Sequence, residues 1–89
     1  MAGDHRLTVS VVAADREVWT GEATQIVART TEGEIGILAG HEPILAILAA
    51  GEVRVTAADG SVVTANAEDG FLSVQNDVVT IVAGTASLV

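Results

Sequence analysis

The residues best equipped for chemistry in this 89-residue chain are few, and most lie between Glu32 and Pro43. That stretch reads Glu-Gly-Glu-Ile-Gly-Ile-Leu-Ala-Gly-His-Glu-Pro. His41-Glu42 invites a metal or acid–base reading. A zinc-binding helix needs a second histidine four residues after the first, and that position is Leu45. The other histidine, His5, sits near the N-terminus, where fraying is expected. Glu32 and Glu34 form a carboxylate pair two residues apart, the spacing of one strand face, although Gly33 between them points to a loop. Paired carboxylates can transfer protons or cleave glycosides, but that work needs a cleft and, for a sugar, an aromatic platform. Ser10, Ser61, Ser73 and Ser87 have no nucleophile-elbow context. Gly33, Gly36 and Gly40 do not form a phosphate loop, which needs a lysine and a following helix. The expectation is a chain that is not an enzyme by itself, with no catalytic residue, no metal and no cofactor.

Composition removes further classes. The four cations are Arg6, Arg16, Arg29 and Arg54, so lysine is absent, and with it Schiff-base chemistry and any biotin or lipoate carried on a lysine. The net charge of −8 makes nucleic acid and anionic lipid surfaces poor partners. No cysteine is present, which removes thiol catalysis and disulfides and fits a cytosolic protein. No apolar run approaches the roughly 20 residues of a membrane-spanning helix, so direct bilayer insertion is not expected. The N-terminus has no apolar signal core. One Trp, one Phe and no Tyr leave an aliphatic core of Val, Ile, Leu and Ala. A chain this short buries only about 60–65% of its unfolded surface, which favours a partner that covers more.

The elements that must position the Glu32–Pro43 stretch follow from a period of two. Leu7, Val9, Val11 and Ala13 alternate with smaller or polar residues as a half-buried strand. Ala14-Asp15-Arg16 reads as a turn and Glu17–Thr20 as a short strand, with Val18 and Trp19 on opposite faces. Gly21-Glu22 reads as a break. Thr24, Ile26 and Ala28 then share one face of a third strand, with Gln25, Val27 and Arg29 on the other. Glu34–Leu38 is a short strand inside the glycine-rich segment. Ile44–Ala50 fits either a helix opened by Pro43 or a strand buried on both faces; its seven-residue length before Gly51 favours the strand. Glu52–Ala58 and Ser61–Glu68 form a hairpin. A three-residue loop, Ala58-Asp59-Gly60, pairs Val55 with Val63 and Val53 with Ala65 and keeps one face apolar. Asp69-Gly70 and Asn76-Asp77 read as turns, with strands Phe71–Gln75 and Val78–Ala83, and Gly84 ends the last. The predicted fold is all-β: one domain over 1–89, a flattened sandwich of two mainly antiparallel sheets with about ten short strands.

The segment Glu32 to Pro43 closely resembles the signature E-G-E-[LIM]-G-[IV]-L-x-G-H-x-P of the epsilon subunit of F-type ATP synthases (delta in mitochondria). Arg16–Glu22, Gly51–Val55, Gly70–Val74 and Val78–Ala83 are similar to further family patterns in the same order, from about Leu7 to Ala86. Asp69 stands where the family has the first of two glycines. The resemblance implies a β-sandwich at the foot of the central stalk. That sandwich is a non-catalytic rotor subunit, monomeric when isolated, on the cytoplasmic face of the bacterial cell membrane. It binds the gamma subunit and the c-ring and couples rotation to ATP synthesis. By the same resemblance, Glu32, Gly33 and Glu34 contact the c-ring, and Gly40, His41, Glu42 and Pro43 face gamma, with Ala13 and Ala46 on that side. Most bacterial members continue into a C-terminal helical hairpin that in some binds ATP or inhibits hydrolysis. The sequence given stops at Val89, so neither property is carried over. Two competing readings are a stand-alone ligand-binding sandwich, which predicts exposed aromatics, and a small hydrolase using His41 and Glu34, which needs a pocket joining them.

Overall fold

A computed structural model describes residues 6–88; His5 lies outside the described residues. Six strands follow one another: β1 Leu7–Ala13, β2 Arg16–Thr30, β3 Gly33–Leu38, β4 Ile44–Ala57, β5 Val62–Gln75 and β6 Val78–Leu88. Four of them are long because each bends and serves two layers. One layer runs β3, the second half of β2, the second half of β4, the first half of β5 and the end of β6. The other runs the first half of β2, then β1, the first half of β6, the second half of β5 and the first half of β4. The short strands expected, about ten, are therefore segments of six longer strands, and the last segment, at the end of β6, lies beyond the Gly84 expected to end the final strand. Every pairing is antiparallel except β1 with β6, which is parallel.

The bends occupy sites that read as turns or breaks. Ile44–Ala50 is a strand, and Gly51 does not end it; β4 runs on to Ala57. β5 passes straight through Asp69-Gly70, with Asp69 left-handed at φ 62°. β6 continues past Gly84 to Leu88. Arg16 belongs to β2 rather than to the preceding turn, and β2 does not break at Gly21-Glu22. Gly21 serves Trp19 instead: a Cβ there would lie 2.9 Å from the indole Cη2.

Two bulges shift faces that strict alternation would have kept. β1 pairs Val11 with Trp19 and Val12 with Glu17, so Val18 is the extra residue. Val18 and Trp19 consequently both pack against the core and do not lie on opposite faces. The second bulge lies between Ala23 and Gln25. It leaves Thr24 exposed while Ile26 and Ala28 point inward. The β4–β5 hairpin has the three-residue loop and the register Val55–Val63, Val53–Ala65. Gly60 takes the left-handed position at φ 93°, with its N–H donated to the Ala57 carbonyl at 2.9 Å.

The core is aliphatic. Its largest fully buried side chains are Leu7, Ile26, Ile37, Leu72 and Ile81, with six valines beside them. Each such side chain contributes about 1.5–3 kcal/mol when removed from water.

Candidate functional site

The glycine-rich segment wraps β3 and presents a tip at each end of it. At one end the β2–β3 turn is pinned by Thr30, the one buried polar side chain among the described residues. Its hydroxyl accepts the Glu32 N–H at 3.2 Å and donates to the Gly33 carbonyl at 2.8 Å. Gly33 sits at φ 117°, which a side chain would resist. Glu32 therefore stands on the turn and Glu34 is the second residue of β3, opposite Arg29 in register. Both carboxylates are exposed.

At the other end, Gly40 is left-handed at φ 86°. Its N–H donates to Asp77 Oδ1 at 2.7 Å, and the Asp77 carbonyl accepts the Thr8 N–H at 2.8 Å. Asp77 thus ties the Gly40–Pro43 turn to β1 and to the β5–β6 turn. Asn76 and Asp77 are both left-handed, at φ 51° and 62°, the pattern of a two-residue hairpin turn. The His41 N–H donates to the Leu38 carbonyl at 3.2 Å. His41 Nδ1 lies 2.7 Å from the Glu42 carbonyl oxygen. A carbonyl only accepts, so in this contact Nδ1 is the donor.

The six residues of β3 hold these tips about 20 Å apart, at ~3.3 Å per residue. His41 and Glu34 are therefore not joined in one pocket, which removes the geometry a hydrolase would need. Among the described residues no three His, Cys, Asp or Glu side chains come together around a metal position. Trp19 lies half-buried over Gly21, so it offers no open platform to a sugar. Of the two alanines assigned to the gamma-facing side, Ala13 is buried in the core and Ala46 is half-buried.

Reading from residue types alone misses a larger feature. Across β1, β6, β5 and β4 the outer face of the layer containing β1 is uncharged; its charges, Glu17 and Glu22, lie on the β2 margin opposite Val12 and Thr8. Val12, Val82, Phe71 and Ile47 form one row across β1, β6, β5 and β4. Ser10, Thr80, Ser73 and Leu45 form the next. Leu45 is 71% exposed, Ile47 58% and Phe71 39%. The outer face of the other layer instead carries Arg29, Glu34, Glu52 and Arg54. The signal available beforehand was the run Ile44–Ala50, apolar on both faces: one face meets the core and the other meets solvent.

Residues 6–89 match the family model described as the β-sandwich domain of the ATP synthase delta/epsilon chain. The ATP synthase epsilon chain of Streptomyces coelicolor is 48% identical over 82 residues, covering 92% of this chain and 66% of the relative. That of Micrococcus luteus is 51% identical over 82 residues, covering 92% and 90%. A chain of the Euglena gracilis mitochondrial ATP synthase, solved with OSCP, F1 and c-ring, superposes with a TM-score of 0.88 at 29% identity. The match covers 99% of this chain and 59% of that one. A chain of the Tetrahymena thermophila central stalk and c-ring shares the fold, with a TM-score of 0.73 at 16% identity, over 90% of this chain and 64% of that one. The chain thus spans about two thirds of the length of the Streptomyces relative.

Proposed function

This chain belongs to the β-sandwich family of ATP synthase delta and epsilon chains, and from that premise we propose that it is a non-catalytic rotor subunit of the central stalk. It binds gamma through the uncharged face and the Gly40–Pro43 turn, and it meets the c-ring through Glu32–Glu34. The complex places it on the cytoplasmic face of a bacterial membrane.

The observation that carries this reading is the contrast between the two outer faces. Apolar side chains left in water on one sheet, beside a sheet whose outer face is charged, support reading the first as a protein interface. The aliphatic core and bent, shared strands make both layers one body. A load applied at the gamma face is therefore transmitted to the carboxylate tip without a hinge. Charge-assisted bonds from Arg or amide groups on c-ring loops would meet Glu32 and Glu34 there.

The test is calorimetric titration of the chain with isolated gamma from the same source. Tight one-to-one binding is expected, and Phe71→Glu should weaken it by about thirtyfold, the loss of one central interface anchor. Absence of binding, both to gamma alone and with the c-ring added, would overturn the assignment.

A further inference from the structure

Each layer of the sandwich ends in an unpaired strand edge on the same side of the molecule. β3 pairs only with β2, and Ile44–Ile47 pairs only with β5. Where the edges converge, the Thr31 N–H of the β2–β3 turn donates to the Ile47 carbonyl at 2.9 Å, beside the Thr30–Leu48 pairing. Between the two edges lies a groove of about 490 Å³. Ile35, Ile44 and Ala46 line it half-buried, so the core is incompletely covered there. Glu32 and Glu34 also line it, and no cation does. Neither glutamate is in an ion pair among the described residues.

An unpaired strand edge offers alternate N–H and C=O groups to any extended chain. We infer that this groove takes an extended, basic segment of a partner protein as an added strand. Its main chain pairs with β3. Its alternate apolar side chains cover Ile35, Ile44 and Ala46, and its alternate Arg or Lys side chains reach Glu32 and Glu34. Charge complementarity selects this occupant. A second copy would set Glu32 and Glu34 of each β3 against the same carboxylates, on molecules of net charge −8. The inference rests on the reading of the Glu32–Glu34 tip as a partner contact and deepens it by naming the partner's charge and backbone conformation.

The experiment titrates the ¹⁵N-labelled chain with acetyl-Arg-Val-Arg-Val-Arg-Val-amide. Amide shifts confined to Gly33–Leu38 and Ile44–Ile47 are expected, with groove-facing β3 amides exchanging about tenfold more slowly at saturation. Binding should fall about tenfold in the Glu32→Gln, Glu34→Gln double variant, the scale of two exposed ion pairs. A peptide with Glu in place of Arg should not bind. Peptides N-methylated at every Val, or at every Arg, block one edge of the added strand each, and at least one of them should lose binding. Undiminished binding of both methylated peptides would overturn strand pairing. So would shifts centred on Phe71 and Val82, or no shift at about 1 mM peptide. Gamma titration is a separate readout: loss of gamma binding with peptide binding retained would sink the stalk assignment and leave the groove assignment standing.

Discussion

Asp59 and Asp77 each organise a turn through a carboxylate, and each can be tested alone. Asp59 Oδ1 accepts the Ser61 hydroxyl at 2.6 Å and the Ser61 N–H at 2.9 Å. These bonds, the hydroxyl first, hold its carboxyl below the ordinary carboxylate range. Ser61→Ala should therefore raise the Asp59 pKa toward its ordinary value in a carboxyl-detected NMR titration. A carboxyl depressed in the folded state stabilises it above the unfolded pKa of about 3.9, and that contribution fades as pH falls through the lower folded value. The stability gap between wild type and Ser61→Ala should accordingly close in acid. Asp77→Ala loses the acceptor for Gly40 N–H, at about 1 kcal/mol, and places alanine at φ 62°, at about 1 kcal/mol more. Asp77→Asn keeps an oxygen acceptor and tolerates the left-handed backbone. Urea unfolding should show about 2 kcal/mol lost for the alanine variant and little for the asparagine.

At the scale of elements, the bends decide the architecture, and Gly70 is the most constrained of them. A Cβ there would collide with the Val82 carbonyl oxygen and lie 2.6 Å from Ala83 Cα, both backbone atoms of β6 that cannot move aside. Gly70→Ala should cost about 3 kcal/mol in urea unfolding. Gly36→Ala is the matched control, because no atom lies within 4 Å of its Cβ position and its φ is not positive. It should stay within about 0.5 kcal/mol of wild type. The straight pieces were legible beforehand. β1 and the β4–β5 register follow from alternation, since a slip of one residue would turn Val53, Val55, Val63 and Ala65 outward. The bends were not legible, because Gly and Asp at left-handed angles serve a reversal and a bend equally. Only the partner strand, here β6 against both halves of β5, distinguishes them.

Considered whole, the molecule is a slab of 38 × 24 × 19 Å. The uncharged face and the carboxylate tip are separate surfaces of it, so their bindings should differ in character. Association through the Phe71 face should show a negative heat-capacity change and little dependence on salt. Contact through Glu34 should weaken with salt. Glu34→Lys should leave the fold and gamma affinity unchanged while lowering c-ring affinity and proton-driven synthesis in the assembled enzyme. Unchanged synthesis in that variant would remove the electrostatic role assigned to Glu34.

The amino-acid sequence alone determined the fold class, the aliphatic core, the family and the two tips of the glycine-rich segment. Those depend on local alternation, on turn chemistry and on residue order, which neighbouring residues carry. Tertiary structure alone decided that Trp19 lies over Gly21. It also decided that Val12, Val82, Phe71 and Ile47 form one exposed row. Those four residues come from four strands, and an apolar side chain facing solvent has the same identity as one facing the core. The side it occupies is set by which strands pair and where bulges shift their register.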